Sequence, residues 1–200
     1  MAHFEPGALH KRIPKIKKGT VIITHDSPDP LTRLRAERDG QPLHAEKYTR
    51  LFINNQLWMT DADFDCWTNE RVVRQLAGDV LIAGLGLGMI LPPILSSNEV
   101  KSATVLEISQ DLIDAVSPLY KSKKLKIIQA DCKEWLVPKK SYDSIYIDIW
   151  PNVPNSDDWE EMKSLKRKYR SGLRPGGKVW AWCEDYAKRD IRKSKQGYRF

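Results

Sequence analysis

The chain has 200 residues, of which 41% are hydrophobic and seven are tryptophan, a composition that suits one α/β domain with a modest extension. A formal charge of +7 favours anionic partners, whereas the lack of a long apolar run or an apolar leader argues against a membrane span or signal peptide. Cys66, Cys132 and Cys183 form neither a disulfide framework nor a zinc spacing. We therefore expect a cytoplasmic protein with reduced thiols and no metal.

The N-terminal third is predicted to be a basic arm followed by a small β-unit. Residues 1–19 are rich in Lys and interrupted by Pro and Gly, which indicates a loosely held arm. Residues 20–66 are expected to form antiparallel strands at 20–24, 31–37, 47–53 and 56–59, with turns between them. Thr68 is a suitable N-cap for a helix that Gly78 would end.

From residue 67 to 200, strands and helices alternate. Strands are predicted at 79–83, 103–106, 125–129, 144–149 and 178–183, and helices at 89–95, 109–120, 133–136 and 157–171. Continuously apolar strands alternating with helices are typical of a mostly parallel sheet buried on both faces, and hence of a doubly wound, Rossmann-like α/β fold. Because ligands bind such folds beyond the carboxyl ends of the strands, we expect the site there.

A glycine loop follows the first of these strands, in the order Gly84-Leu85-Gly86-Leu87-Gly88. The missing side chains would let a ligand approach backbone amides. A dinucleotide fingerprint would need glycine at position 89 or 91, where Met89 and Leu91 stand, so a nicotinamide or flavin enzyme is disfavoured. A tight strand-to-helix turn without a ligand is the alternative.

Carboxylates follow the next three strands. Glu107 lies where an ionised acceptor could bind both hydroxyls of a ribose. Asp131 could accept from an adenine amino group, cap the short helix predicted after it, or do both. Asp148 should face the crevice or a donor, because an unpaired buried carboxylate is costly. Trp150 is either an aromatic wall over the reacting group or a packing residue.

In this order the segments resemble the successive motifs of class I S-adenosylmethionine-dependent methyltransferases. The matching segments are residues 79–88, 105–108, 129–131, 142–148 and the Leu173-Arg174-Pro175-Gly176-Gly177 run. Within that superfamily the chain is most similar to the spermidine synthase branch, since residues 51–71 resemble the passage that ends its N-terminal β-unit.

The resemblance implies a site for S-adenosylmethionine or its decarboxylated form. The glycines would surround the amino acid portion, Glu107 would bind the ribose, and Asp148 would face the reacting group. Asp131 and Cys132 would lie by the adenine. The full set of implied cofactor residues is Gly84, Leu85, Gly86, Gly88, Glu107, Ile108, Asp131, Cys132, Asp148 and Trp150.

The sequence departs from spermidine synthases at their amine contacts. Leu87 stands where their loop has Asp, only Asp148 remains of a D-x-x-D-P acid pair, and a Gln is replaced near Met59. An ammonium substrate is best bound by paired carboxylates, so these changes favour methyl transfer over aminopropyl transfer. In methyl transfer Asp148 would act as a general base. A non-transferring protein that cleaves or binds S-adenosylmethionine is the third hypothesis.

The implied substrate partner is a small-molecule acceptor. A second contact is expected at the free edge of the parallel sheet. Residues 184–200 leave room for one helix, where the superfamily usually adds a helix and a strand pair. We therefore expect the N-terminal β-unit or a second subunit to cover the edge beside the fifth strand. Asp148 is followed by Ile149-Trp150-Pro151, which is not the signature of base-flipping DNA enzymes, so nucleic acid has no specific support.

Overall fold

The computed structural model describes residues 4–197, and side chains up to residue 193. Two sheets organise the chain. The smaller is antiparallel, with strands β1 (Ile16–Lys18), β2 (Val21–Asp26), β3 (Tyr48–Ile53) and β4 (Gln56–Thr60) in sequential order. The larger is parallel, with strands β5 (Gly78–Ala83), β6 (Val100–Glu107), β7 (Leu125–Gln129), β8 (Tyr142–Ile147) and β9 (Leu173–Ala181).

The large sheet has the strand order β7-β6-β5-β8-β9. The chain builds outward from β5 to β7 and then crosses over to place β8 and β9 on the other side of β5. Such a reversal creates a crevice at the carboxyl ends of the two central strands, which is where doubly wound folds bind ligands. The predicted fold class, an α/β fold with an N-terminal antiparallel sheet, is confirmed.

Helices connect and cover the strands. They are α1 (Pro30–Arg38), α2 (Asp63–Val73), α3 (Leu91–Ser96), α4 (Gln110–Val116), α5 (Trp159–Arg170) and α6 (Glu184–Gly197), with short 3₁₀ helices at Ala8–Lys11 and Ser117–Leu119. The central strands are buried, as the apolar sequences of β5 and β8 predict. No helix among residues 4–197 has both the length and the apolar character needed to cross a membrane.

The strand predicted at residues 31–37 is wrong, because this segment is helix α1. Asp29 caps the helix by accepting from the backbone N–H of Thr32 at 2.8 Å, and Pro30 occupies the first turn, where its missing N–H costs nothing. The apolar residues Leu31 and Leu34 are three apart, which puts them on one helix face, and both are exposed.

One predicted helix start and one predicted short helix are also wrong. Helix α2 begins at Asp63, five residues before the expected cap, and the Thr68 hydroxyl donates to the carbonyl of Phe64 inside the helix. The short helix predicted at residues 133–136 is a turn, held by Asp131 accepting from the N–H of Lys133 at 2.7 Å. Asp131 therefore caps a turn and not a helix.

The basic segment predicted as a loosely held arm is packed where the structure describes it, from residue 4 onward. Strand β1 pairs with β2, and Leu9 and Ile13 are buried in the core. The buried carboxylate of Asp61 accepts from the N–H of Leu9 at 2.8 Å and from that of Thr49 at 2.6 Å. The segment is therefore anchored in two ways. Its apolar residues Leu9 and Ile13 are buried, and its backbone donates a hydrogen bond to Asp61. Residues 1–3 lie outside the described residues.

The N-terminal sheet contacts α4, on the side of the large sheet that carries β6 and β7. The carboxylate of Asp111 accepts from the N–H of Thr20 at 3.0 Å, and Lys18 pairs with Asp114 at 2.8 Å. Strand β9 is at the other end of the sheet, and no strand of the described chain pairs with its outer edge. The prediction that the N-terminal unit covers this edge is therefore wrong; cover by a second subunit stays a prediction.

Candidate functional site

A cavity of about 670 Å³ lies at the carboxyl ends of the parallel strands, between the large sheet and the N-terminal sheet. Its size is that of a small-molecule site. Every residue predicted to bind the cofactor lines it, apart from Gly88. The residues that line it from the predicted set are Gly84, Leu85, Gly86, Glu107, Ile108, Asp131, Cys132, Asp148 and Trp150. The structure thus brings together side chains from four strand ends; their role in binding stays a prediction.

The glycine loop is shaped by the strand end beside it. Gly84 has a φ of 101°, and a Cβ atom at this position would collide with the carbonyl oxygen of Asp148. Gly88 has a φ of 66° and lies against the ring of Tyr120, which explains why it packs behind the cavity instead of lining it. Glycine at these positions is therefore required by the loop's own geometry, with or without a ligand.

Leu87 points away from the cavity. Its side chain is fully buried in the core, and its carbonyl accepts from the Tyr120 hydroxyl at 2.8 Å. Leu87 therefore belongs to the packing behind the loop, and it does not line the cavity.

Glu107 is buried and binds the protein with both of its oxygens. One oxygen accepts from the backbone N–H of Leu85 at 3.0 Å, and the other accepts from that of Ser109 at 2.9 Å. Each carboxylate oxygen can accept more than one hydrogen bond. Glu107 can therefore hold the glycine loop in place and still accept from hydroxyl groups of a ligand in the cavity.

The loop after β7 is held from outside by α5. The carbonyl of Cys132 accepts from the Tyr169 hydroxyl at 2.9 Å and from the Lys168 ammonium at 3.1 Å. Burial raises the pKa of the Cys132 thiol to about 11, so it stays protonated. One oxygen of Asp131 caps the turn, and the other has no partner among the described residues, which leaves it available to a donor in the cavity.

Asp148 lies at the tip of β8 with its carboxyl group in the cavity wall. Its side chain has no hydrogen bond or ion pair with any described residue. Burial, and in second place the negative charge of Asp65, raise the pKa of Asp148 to about 7. A carboxyl group with such a pKa is suited to accept a proton near neutral pH.

Asp65 is the acid that the sequence reasoning missed. It lies on α2, lines the cavity, and accepts from the hydroxyl of Thr60 at 2.6 Å and from its N–H at 3.2 Å. Burial raises its pKa as well. The only hint in the sequence is the alternation Asp61, Asp63, Asp65 before the helix.

Asn69 connects α2 to the central sheet beside this acid pair. Its amide oxygen accepts from the buried Tyr146 hydroxyl at 3.0 Å, and its amide nitrogen donates to the carbonyl of Asp65 at 3.0 Å. The indole N–H of Trp182, at the end of β9, donates to the hydroxyl of Thr68 at 3.0 Å. These bonds fix the face of α2 that carries Asp65 against the ends of β8 and β9.

Trp150 is both a wall of the cavity and a packing residue. It is buried, and its indole N–H donates to a carboxylate oxygen of Glu161 at 3.0 Å. The other Glu161 oxygen pairs with the ammonium of Lys133 at 2.5 Å. All three residues line the cavity, so Glu161 of α5 joins the loops that follow β7 and β8. Sequence reasoning did not identify Glu161 or Lys133.

Clusters of metal-ligating side chains were sought throughout the described residues. In the part of the chain that the structure describes, no group of three or more His, Cys, Asp or Glu residues could hold a metal ion.

No protein-family model matches the sequence, and no curated protein is similar enough to count as a relative. Among solved structures, spermidine synthase from Thermotoga maritima is 19% identical, with a TM-score of 0.54 over 72% of this chain and 56% of its own. A spermidine synthase in complex with the transition state analogue AdoDATO is 18% identical, with a TM-score of 0.52 over 72% and 57%. A SAM-dependent methyltransferase from Leishmania major is 18% identical, with a TM-score of 0.47 over 60% and 49%.

The two likenesses with TM-scores above 0.5 establish the fold. The chain has the Rossmann-like fold that S-adenosylmethionine-dependent methyltransferases and spermidine synthase share, so the resemblance stated from the sequence motifs is confirmed at that level. The chain spans about half the length of the solved structures that it matches.

Proposed function

We propose that the chain is a transferase that binds S-adenosylmethionine in the cavity and transfers its methyl group to an acceptor held at Asp148. The observation that supports this is the convergence of the glycine loop, Glu107, Asp131 and Asp148 on one cavity at the switch point of the sheet. The acceptor we expect is a small molecule, because a cavity of about 670 Å³ has the size of a small-molecule site.

The lining residues offer a suitable contact for each chemical group of the cofactor. The backbone of residues 84–86 can approach the amino acid portion, Glu107 has lone pairs for the ribose hydroxyls, and the free oxygen of Asp131 can accept from the adenine amino group. Ile108 is 64% exposed and lines the cavity, so an adenine placed there would cover apolar surface that is otherwise wet.

The cofactor supplies an activated methyl group on a sulfonium, so the protein's task is to align the acceptor and remove its proton. Asp148 is placed for the second task, since its pKa of about 7 makes it a base near neutral pH. Trp150, held by Glu161, closes one side of the cavity and excludes water from the proton transfer.

One observation favours aminopropyl transfer as a second candidate. The argument against it was the loss of a second acid, yet Asp65 lies in the same cavity wall as Asp148 and acts on its pKa. Two carboxylates at one site can hold an ammonium group. An amine acceptor is therefore compatible with either a methyl or an aminopropyl donor.

Calorimetry with S-adenosylmethionine, its decarboxylated form and S-adenosylhomocysteine tests the proposal. We expect S-adenosylmethionine and S-adenosylhomocysteine to bind and the decarboxylated form to bind more weakly. Preference for the decarboxylated form, together with aminopropyl transfer to putrescine, would establish the second candidate instead. Absence of binding by all three ligands would refute both.

A further inference from the structure

A second cavity, of about 590 Å³, lies along strand β9 and shares no lining residue with the first. We call it the basic groove. Its cationic residues are Lys140, Lys166, Arg170, Arg174 and Lys178, and Trp180 is its aromatic residue. They come from the loop before β8, from α5 and from β9, so three separate elements of the fold direct positive charge to one surface.

Part of this charge is neutralised inside the protein. Lys166 pairs with Glu184. Arg174 donates to Asp79 and to Asp143, and both of these bonds are 2.7 Å long. These ion pairs fix the walls of the groove. They also neutralise the positive charges of Lys166 and Arg174, so these two residues add little to the attraction of a partner.

The remaining cations are Lys140, Arg170 and Lys178. Each is exposed, and none makes a side-chain hydrogen bond or ion pair with any residue in the range 4–193. The groove thus carries positive charge that the described protein does not compensate, which favours an anionic partner.

The backbone beside these cations is unpaired. Strand β9 pairs with β8 on one side only, from Lys178 opposite Ser144 to Ala181 opposite Ile147. Residues 174–177 bulge out of the register between the two strands and form one end of the groove. An edge strand with free N–H and C=O groups is a template for another extended chain.

We propose that the basic groove binds an extended, acidic peptide segment, which adds to the edge of β9 as a sixth strand and places carboxylates beside Lys140, Arg170 and Lys178. Alternate side chains of such a segment would lie toward the half-buried ring of Trp180. This inference is independent of the chemistry proposed for the first cavity.

Two other occupants fit the groove less well. A second copy of the chain, paired edge to edge, would bring two sets of these cations together, and like charges oppose that contact. A nucleic acid strand would satisfy the cations and could stack on Trp180, but it cannot pair with the free peptide groups of β9. An acidic peptide segment satisfies both observations, since its carboxylates match the cations and its backbone can pair with the edge of β9.

Fluorescence anisotropy of the full chain with a labelled ten-residue peptide of alternating Glu and Val tests the proposal. We expect salt-sensitive binding. The charge reversal R170E together with K178E should weaken it by about tenfold or more, because two attractions become two repulsions. Lys126→Glu, an exposed lysine on the opposite edge strand β7, is the matched control and should change affinity little. Circular dichroism of each variant checks that the fold is retained.

Two further probes separate strand addition from charge attraction. A peptide of the same charge with two Val replaced by Pro cannot pair along the edge and should bind several times more weakly. Equal binding of the Pro peptide, or equal loss in K126E, would overturn the proposal. So would tighter binding of an oligothymidylate of equal length, which would make the groove a nucleic acid site. No binding of the Glu-Val peptide refutes the proposal outright.

Discussion

Asp148, at the tip of β8, and Asp65, on α2, line one cavity, and the charge of Asp65 adds to burial in raising the pKa of Asp148 to about 7. The two residues are far apart in the sequence and belong to different layers of the fold. This pair supports the proposed role of Asp148 as a base near neutral pH, and it adds a second acid with which a cationic acceptor would be compatible.

The first prediction concerns the pH dependence of turnover. In the proposed function the base is the ionised form of Asp148, so turnover should rise with pH through about 7 and level off above it. In Asp65→Asn the like charge is removed, so the pKa of Asp148 should fall and the rising limb should move to lower pH. A pH profile of turnover under saturating substrates measures both.

Asp148→Asn provides the control for this assignment. It keeps the shape of the side chain and removes the base, so turnover should drop by about 10² to 10⁴-fold with cofactor affinity much less affected. Full activity of D148N, or an unchanged pH profile in D65N, would show that the acid pair does not act as described.

The second prediction concerns Glu107. Removing it takes away the acceptor expected for the ribose and the bonds to the N–H groups of Leu85 and Ser109. Glu107→Ala should therefore weaken cofactor binding by about 1.5 to 3 kcal/mol, the range for hydrogen bonds to a charged group. Calorimetry measures the change. Glu134→Ala, an exposed acid that does not line the cavity, should leave affinity as it is.

A third prediction concerns the hold of Glu161 on Trp150. Glu161→Leu breaks the bonds to the Trp150 indole and to Lys133, so the wall should loosen and the acceptor KM should rise more than kcat falls. The intrinsic fluorescence of Trp150, isolated as the difference from a Trp150→Phe variant, should change as well. Glu160→Leu is the matched control on the same helix, since Glu160 is exposed and, among the described residues, pairs with Lys163 alone. Equal effects of the two variants would contradict the assignment.

The fourth prediction uses two glycines with positive φ. Gly84→Ala places a Cβ atom against the carbonyl of Asp148 and should lower the free energy of unfolding by about 3 kcal/mol or more. Gly176→Ala meets no atom within 4 Å, so only the backbone conformation is unfavourable, at about 1–2 kcal/mol. Urea denaturation compares the two. A loss at Gly84 no larger than that at Gly176 would show that the loop relaxes around the methyl group.

The sequence alone determined the α/β alternation, the glycine loop and the strand-end residues Glu107, Asp131 and Asp148. These features are readable because hydrophobic period, glycine and strand ends are local signals, and the carboxyl ends of parallel strands meet at one edge. The same locality explains the errors. Residues 31–37 carry both strand and helix signals, and the cap formed by Asp29 and Pro30 decides for the helix.

Only the tertiary structure decided which side chains join those strand ends. Asp65 and Glu161 lie on helices. The hydrophobic periodicity of α2 and α5 does not indicate which turn of each helix will pack over the cavity. Leu87 lies within the glycine loop, yet its burial turns it away from the ligand side. The cations of the basic groove come together because α5 and the loop before β8 pack beside strand β9, whose outer edge is free of any described strand. Contacts between distant segments depend on how whole elements bury their apolar faces, which local sequence does not encode.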